Sequence, residues 1–189
     1  MREMRAPLVM LATVTALVAV GLAVPTPVVR PAAAGPLRAL CGSERWLIKT
    51  FADPDRNRVV LKRRFSTVAK LNKIVRPATI PQNSRTAAEL RVYRVTATVT
   101  LNRNEDDGDV HLALEAGGKS IIAEAPEPAC SPTSRSRASI LAARLVAQDA
   151  QPGDKVVAAG VGFFDFPHGQ TGHSDNYLEL HPLLSLRRL

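Results

Sequence analysis

The chain has 189 residues and a formal net charge of +8, and 46% of its residues are hydrophobic but only 4% are aromatic. The 155 residues that follow a predicted export signal are enough for one hydrophobic core, which excludes two full-sized domains. Because aromatic residues are scarce, the core is predicted to consist of valine, leucine, isoleucine and alanine.

The first 34 residues have the pattern of a secretory signal peptide. Arg2 and Arg5 precede an uncharged apolar run at residues 8–24, and alanines at residues 32–34 suit cleavage by a signal peptidase. A second small-residue pattern at residues 21–23 leaves the cleavage position open. The alternative is an uncleaved membrane anchor, but the apolar run of 17 residues is shorter than the ~20 that span a bilayer. We therefore expect a secreted or extracytoplasmic protein with no transmembrane span after cleavage.

A basic segment, residues 35–91, follows the signal and carries a net charge of +9, whereas residues 92–189 carry −3. Such a segment can contact nucleic acid, an anionic envelope polymer or a lipid surface. We expect a solvated surface instead, because the cluster lacks interleaved aromatic residues on which bases could stack.

Short apolar runs in the basic segment predict small elements that pack on the rest of the protein. The expected elements are a strand, a turn, a second strand and a helix capped by Ser66 or Thr67, at residues 46–51, 53–55, 58–61 and 67–74. Pro77 and Pro81 then begin an extended linker to about residue 88.

The chain has two cysteines, Cys41 and Cys130. An even number in an exported protein favours a disulfide, which on the chain-entropy model would stabilise the fold by ~4 kcal/mol. A thiol nucleophile is the competing interpretation, but neither cysteine has a histidine or a Cys-x-x-Cys partner nearby in sequence.

Residues 92–189 predict a β-barrel. Residues 93–101 alternate apolar and polar side chains, and Gly117-Gly118 suits a hairpin turn between two further strands. A helix capped by Ser134 or Ser136 follows, with an apolar side made of Ile140, Leu141, Leu145 and Val146. Three strands, a helix and two strands are the order of the five-stranded Greek-key OB-fold. The expected strands are residues 93–101, 110–115, 119–125, 155–165 and 177–186.

Two details of these strands carry further expectations. Gly160 and Gly162 indicate a bend, a bulge or a close backbone approach. In the last strand Leu178 and Leu180 are expected to point inward, whereas Glu179 and His181 are expected to point outward.

Several segments of the mature chain are distinctive together. They include Ile122–Pro126 with Cys130, Gly160–Asp165, His168–Gly172 and Leu178–Pro182. In these segments the chain resembles a family of exported bacterial proteins with no assigned activity. The resemblance covers most of the mature chain and implies export and one compact domain, but it supplies no catalytic residue.

OB-fold barrels usually bind ligands on their second and third strands and at the loops joining strands one to two and four to five. Those loops are residues 102–109 and 166–176 here. The second loop is rich in glycine and polar residues, so we expect it to be exposed, close to the acidic loop and more important for binding than for stability. The alternative is that its side chains only bond its own backbone. The candidate binding residues are Asp107, Asp109, His111, Asp165, His168, Gln170, His173 and Asn176.

A divalent metal ion is the one cofactor that the sequence suggests, with His168, His173 and Asp109 as candidate ligands. No spaced zinc motif is present, so these ligands would converge only through the fold. The acidic residues 104–109 also suit Ca²⁺, but they lack the EF-hand spacing and are expected to form a solvated loop.

The sequence leaves three functions open. No catalytic motif is complete, so the first is a secreted or cell-envelope barrel that acts as a monomer and binds an unknown ligand or envelope partner without chemistry. The second is a metal-assisted hydrolase with its site at the barrel mouth. Nucleic-acid binding ranks third and is not expected, because acidic residues at the mouth would repel phosphates.

Overall fold

The computed structural model describes residues 41, 42 and 44–189. The predicted signal peptide, residues 1–34, lies outside the described residues. The strands are β1 (Val60–Phe65), β2 (Arg91–Asn104), β3 (Val110–Ala116), β4 (Lys119–Ala125), β5 (Lys155–Phe164) and β6 (Leu178–Arg188). The helices are α1 (Trp46–Lys49), α2 (Val68–Asn72) and α3 (Arg137–Gln148), with short 3₁₀ turns at Pro54–Arg58, Ala88–Leu90 and Pro128–Cys130.

Five of the strands form a closed barrel. Their order is β2-β3-β4-β6-β5, and β5 pairs back onto β2. All neighbours run antiparallel except β4 and β6, which run parallel. Helix α3 connects β4 to β5 and packs against β4 and β6. The predicted fold, mainly β with a five-stranded OB-fold-like barrel, is confirmed. Among the described residues, no helix has the length and apolar character needed to cross a membrane.

Aliphatic side chains fill the barrel, as the scarcity of aromatic residues predicts. The alternation in β2 places Val95, Ala97 and Val99 in the core and leaves the intervening threonines partly or fully exposed. Leucines and isoleucines of β3, β4 and β6 complete the same cluster. Each fully buried valine, leucine or isoleucine contributes ~1.5–3 kcal/mol, so the hydrophobic interior is the main stabilising term of the barrel.

Two glycines of β5 allow the backbone to approach its neighbours. A Cβ atom at Gly160 would lie 2.8 Å from the Leu180 Cβ, and one at Gly162 would lie 2.7 Å from the Ala88 carbonyl oxygen. The pairing of β5 with β6 also shifts register at these glycines. The predicted irregularity and close approach are both confirmed.

The N-terminal part of the basic segment differs from the prediction. Residues 46–51 were expected to form a strand, but they contain helix α1. Ile48 and Phe51 are both fully buried. Residues three apart lie on opposite sides of a strand, so a strand could not bury both, whereas α1 followed by a turn with Phe51 at a positive φ does.

The next elements lie close to their predicted positions. Strand β1 begins two residues later than expected and runs parallel to β2 at the edge of the sheet. Helix α2 is capped by the predicted Thr67, whose side chain accepts a hydrogen bond of 3.2 Å from the Lys70 backbone amide.

Two buried ion pairs lie within this segment. Arg45 pairs with Glu89 at 2.6 Å and Arg85 pairs with Asp53 at 2.6 Å, with all four side chains fully buried. Arg45 also donates to the carbonyl oxygen of Phe164 at the end of β5. Breaking such a pair costs about 3–5 kcal/mol, so the segment is a firm part of the fold.

The predicted disulfide is confirmed. Cys41 and Cys130 are bonded, with a Cα–Cα distance of 5.5 Å. The bond joins the start of the described chain to the 3₁₀ turn after β4. Trp46 lies beside it and donates its indole N–H to the Cys130 carbonyl oxygen at 3.3 Å.

Helix α3 begins after Ser136, but neither Ser134 nor Ser136 caps it with a side-chain hydrogen bond, and the helix is rotated relative to the prediction. Ile140, Ala143 and Ala147 are buried, whereas Leu145 is 67% exposed. The reason is Arg144, which turns inward and donates to the carbonyl oxygens of Ala125 at 2.7 Å and Gly108 at 2.8 Å. Because this guanidinium points inward, the helix face with the small residues Ala143 and Ala147 packs on the barrel, and the predicted Leu145 contact does not form.

Candidate metal centre

A cluster of charged side chains lies buried on the outside of the barrel, where β3, β4 and β6 meet. Strand register assembles it, because His111 pairs across from Glu124 and Ala123 pairs with Leu180. Glu124 therefore lies next to the positions that flank Leu180 on β6. The members are Asp109, His111, Glu124, Glu179 and His181, all no more than 5% exposed.

The predicted outward orientation of Glu179 and His181 did not lead to exposure. Both residues are buried because other parts of the chain cover this side of the barrel. The His181 ring packs edge-on against Phe163, with 5.5 Å between ring centroids. Arg45 and Lys49, from the start of the chain, lie over the same Phe163 ring at 4.9 and 5.6 Å. The covering segment is thus residues 45–49, and the outer surface of β6 is a second interior.

His181 occupies the centre of the cluster. Its Nδ1 is 3.0 Å from Glu124 Oε2 and 3.9 Å from Glu179 Oε2, and its Nε2 is 3.4 Å from Asp109 Oδ2. One donor atom each from Asp109, Glu124 and His181 lies within 4.8 Å of the other two. Carboxylate oxygens and imidazole nitrogens at this spacing are suitable ligands for a divalent cation.

Four polar atoms in this group lack a hydrogen bond despite complete burial. No described residue forms a well-oriented hydrogen bond with either ring nitrogen of His181, with Asp109 Oδ2 or with Glu179 Oε2. Such atoms cost about 1–3 kcal/mol each when they are left unpaired. All four lie on or beside the His181 ring, with Asp109 Oδ2 at 3.4 Å from Nε2 and Glu179 Oε2 at 3.9 Å from Nδ1.

The neighbouring group around His111 behaves differently, although it too contains three potential ligands. His111 Nδ1 is 2.7 Å from Glu124 Oε1 and 3.0 Å from Glu105 Oε1, and its Nε2 is 3.0 Å from the Thr171 carbonyl oxygen. Burial lowers the pKa of His111, but the hydrogen bonds of Glu105 and Glu124 raise it more, to about 10. A protonated His111 therefore donates from both nitrogens, and this group is complete without a metal ion.

Negative charge exceeds fixed positive charge in the cluster. Lys49 is the one lysine or arginine in the described chain within 4.0 Å of the carboxylates of Asp109, Glu124, Glu179 or Asp165, at 3.9 Å from Asp165. Burial lowers the pKa of Lys49, but Glu124 and Asp165 raise it above its ordinary value, so the amine stays charged.

Two glutamates in the cluster have opposite pKa shifts. Burial and the charge of Glu124 raise the pKa of Glu179 to about 7. Burial raises the pKa of Glu124 too, but the hydrogen bond from His111 and the charge of His181 lower it well below its ordinary value. Burial lowers the pKa of His181, yet Asp109 and Glu124 raise it well above the ordinary value. The carboxylates around His181 thus favour a positive charge at the position of its ring.

The loop at residues 166–176 holds a separate polar group. Asp165 Oδ2 lies 2.8 Å from His168 Nε2 and accepts a hydrogen bond from Gln170 Nε2 at 3.0 Å. Gln170 is buried and also bonds the backbone at Phe166 and His168. His168 itself is half exposed. This pattern matches the alternative in which the loop's side chains bond its own backbone.

The remaining predicted site residues have separate positions. His173 is exposed and stacks on Tyr177 at 4.6 Å, and Asn176 donates to backbone carbonyls of Leu71 and Ile74. Asp107 accepts a bond from the Asp109 backbone amide at 3.1 Å. Of the candidate ligands His168, His173 and Asp109, only Asp109 belongs to a group of three potential ligands among the described residues. The two loops meet at His111, which Glu105 contacts from one side of the ring and Thr171 from the other.

The site includes three residues that were not among the predicted site residues, Glu124, Glu179 and His181, and the last two were expected only to point outward. One signal was available. Glu124 is a lone carboxylate in the apolar run of residues 121–125, and Glu179 and His181 interrupt the apolar residues 178–184. Charged residues inside strands that are apolar on both faces indicate a buried polar cluster.

Comparison with known proteins gives little beyond the barrel. No protein-family model matches the chain, and no curated protein matches it. A Leishmania major Friedlin protein proposed to be an aspartyl-tRNA synthetase overlaps 69% of this chain and 21% of its own length, at 14% identity and a TM-score of 0.44. An asparaginyl-tRNA synthetase of Entamoeba histolytica covers 52% of this chain and 20% of its own, at 9% identity and a TM-score of 0.34. The protein TiaS, in a complex with an isoleucine tRNA and ATP, matches 48% of this chain and 17% of its own length, at 22% identity and a TM-score of 0.28. The chain thus spans about a fifth of the length of these proteins.

Proposed function

We propose that the protein is a metal-binding β-barrel module that holds one divalent transition-metal ion between Asp109, Glu124 and His181. The observation that carries this proposal is the set of buried atoms without hydrogen bonds on His181, Asp109 and Glu179. A cation bound by Asp109 Oδ2 and His181 Nε2 would give two of these atoms a partner.

The donor set indicates the class of metal. Imidazole suits zinc, copper, iron and nickel, whereas an all-oxygen site suits magnesium and calcium. Two carboxylates with one imidazole therefore favour Zn²⁺ or a neighbouring transition ion over Ca²⁺. Glu179 Oε2 is the next donor, 3.9 Å from His181 Nδ1, and is the candidate fourth ligand.

Burial favours stable binding over turnover. A catalytic zinc site keeps an open position for water or substrate, whereas a structural site is closed by protein ligands. Asp109, Glu124 and His181 are 1%, 5% and 0% exposed, so the closed type fits better. The ion in this proposal is therefore the ligand of the barrel, and metal-assisted hydrolysis is the second candidate.

Export is part of the same proposal. It is supported by the signal-peptide pattern of residues 1–34 and by the disulfide between Cys41 and Cys130, because disulfides persist in oxidising compartments. Mass spectrometry of protein recovered from the medium or envelope of its native host is expected to find a new N-terminus near residue 35. Recovery from the cytoplasm with residue 1 intact would contradict export.

The metal proposal is tested on the purified protein after removal of metal with a chelator. Dialysis against Zn²⁺, Mn²⁺ or Ca²⁺, followed by elemental analysis, is expected to give one Zn²⁺ per chain and no retained Ca²⁺. A wild-type protein that is folded by circular dichroism and retains none of the transition ions would overturn the proposal.

Matched variants locate the site. His181→Gln and Asp109→Asn are expected to lose the metal, whereas His173→Gln and Glu115→Gln, at exposed positions, are expected to keep it. Co²⁺ substitution adds a readout that does not depend on stability, because loss of the His181 ligand changes the visible absorption of bound Co²⁺. Equal metal content in all four variants, each folded, would show that the ion binds elsewhere.

A further inference from the structure

A second surface, remote in sequence from the metal ligands, carries positive charge along an open edge of the sheet. We define the basic edge as Lys62, Arg63, Arg64, Phe65, Lys70 and Arg91. We infer that the basic edge binds single-stranded nucleic acid. This inference does not rest on the metal proposal.

Strand β1 gives the basic edge its shape. It pairs with β2 alone and is therefore the edge strand of the sheet. All six of its residues are exposed. The pairing shifts register between Val60 and Arg63, so the strand is irregular where its charged residues begin. An exposed, irregular edge with long basic side chains disfavours pairing with another strand and leaves these side chains available for a ligand.

Two adjoining grooves run along this strand. The first has a volume of about 360 Å³ and is lined by Val60, Lys62, Arg63, Arg64 and Arg91. The second, of about 220 Å³, is lined by Arg64, Phe65, Ser66, Lys70, Leu71, Ile74 and Tyr93. Arg64 lines both, so the grooves are neighbours, and no carboxylate lines either one. A positive groove that follows a strand suits a polymer with regularly spaced phosphates.

The charges of the basic edge are not neutralised within the described chain. None of Lys62, Arg63, Arg64 and Arg91 forms an ion pair with a residue in the part of the chain that the structure describes. Uncompensated, exposed cations of this kind release counterions when they bind phosphates, which supplies most of the affinity of such complexes.

Phe65 distinguishes nucleic acid from other polyanions. Its side chain is 75% exposed at the end of β1, and the Arg94 guanidinium lies 4.9 Å from the ring centroid. An exposed ring supported by a guanidinium is a platform on which a base can stack, and an acidic polysaccharide or a lipid headgroup has no comparable group. Nucleic-acid binding by this cluster was not expected, because aromatic residues were thought to be absent from it. Phe65 is such a residue.

The acidic barrel mouth is not part of this surface. Glu105, Asp107 and Asp109 lie on the loop between β2 and β3 and line neither groove. The repulsion of phosphates that was expected there therefore does not apply to the basic edge.

The test is fluorescence anisotropy with a labelled oligo(dT) of about 20 nucleotides, long enough for one barrel-sized site. A duplex of the same length, heparin and vesicles containing an anionic phospholipid are compared under the same conditions. All measurements are made in EDTA, so that the outcome does not depend on the metal proposal.

Three variants separate charge from stacking. Phe65→Ala is expected to weaken oligo(dT) binding about 5- to 150-fold, the range for losing one stacked base, and to leave heparin binding unchanged. Phe65→Tyr keeps the ring and is expected to restore the affinity. Arg63→Ser/Arg64→Ser is expected to reduce the slope of log affinity against log salt by about 1.4, since each phosphate contact on a single strand contributes about 0.7.

The control removes the same charge elsewhere. Lys155→Ser/Arg187→Ser alters exposed residues of β5 and β6 that line neither groove, and it is expected to change the salt slope by less than half as much. The inference is overturned if Phe65→Ala binds oligo(dT) like wild type, if heparin or vesicles bind and oligo(dT) does not, or if no polyanion binds at low salt. Tighter binding of duplex than of single strand would also overturn it.

Discussion

The buried pair of Arg45 and Glu89 allows a direct test of how the N-terminal segment is attached. Glu89 accepts bonds from the Arg45 guanidinium at 2.6 and 3.1 Å, from the Phe164 backbone amide at 2.8 Å and from the Thr86 backbone amide at 2.7 Å. Glu89→Gln keeps the size of the side chain but leaves the Arg45 charge buried and unpaired. Removing one partner of such a pair costs about 3–5 kcal/mol. At about 2–4 °C per kcal/mol for a domain of this size, Tm is expected to fall by about 6–20 °C.

The effect of Glu89→Gln is also expected to depend on pH. Burial raises the pKa of Glu89, but the hydrogen bonds and charge of Arg45 lower it more, to below the ordinary value of 4.5. Because the folded protein then binds fewer protons than the unfolded chain, this stabilisation is fully present above the unfolded-state pKa. It is lost as the pH falls through the folded-state pKa. The difference in unfolding free energy between wild type and variant is therefore constant from about pH 5 to 8 and shrinks below about pH 4.5.

The assay is urea unfolding in EDTA, followed by the fluorescence of Trp46 and by far-ultraviolet circular dichroism. Glu115→Gln, at an exposed position of β3, is the control and is expected to change the free energy of unfolding by no more than about 0.5 kcal/mol. A loss below about 1 kcal/mol for Glu89→Gln, or a difference independent of pH down to about pH 3, would refute the assigned role of the pair.

Three further changes test other parts of the structure by thermal unfolding. Gly172→Ala is expected to lower the free energy of unfolding more than Gly169→Ala, although both glycines have φ above +80°. A Cβ at position 172 would overlap the Ala113 side chain of β3, whereas position 169 is open. Equal losses of stability would contradict the close packing of the loop on β3. Gln170→Ala is expected to lower the free energy of unfolding by about 1–3 kcal/mol, because it removes buried hydrogen bonds. His168 is half exposed, so His168→Ala is expected to lower it less. The reverse order would show that Gln170 does not hold the loop in place. Cys41→Ser opens a loop of 89 residues and is expected to cost about 4–5 kcal/mol, and unchanged stability would show that the bond does not constrain the unfolded chain.

The barrel was predictable because its signals are local. The alternation along β2 and the Gly117-Gly118 turn each determine one element without reference to the rest of the chain. Their order then limits the topology to few choices, and the OB-fold-like order was among them. Helix α1 was not predictable in this way, because its four residues are too short to show a helical period and its structure depends on burying Ile48 and Phe51.

The metal cluster was less predictable for a related reason. Outward-facing positions on a strand are usually exposed, so Glu179 and His181 were assigned to the surface. Their burial depends on residues 45–49, at least 130 positions earlier in the chain, and no local pattern reports that contact. The histidines of the loop at residues 166–176 were more conspicuous in sequence, but only their partners in space distinguish a ligand from a side chain that holds a turn.

The order of the strands has a consequence for when the metal site can form during folding. Asp109 immediately precedes β3 and Glu124 belongs to the adjacent strand β4, whereas His181 comes from β6, the last of the described strands. A folding intermediate that contains only the β3–β4 hairpin has two carboxylates and no imidazole, a poor match for a transition ion. The complete ligand set exists only after β6 has docked beside β4 and closed the barrel. On the metal proposal, acquisition of the ion would therefore be a late event, and an ion captured at that step would hold the closing strand in place.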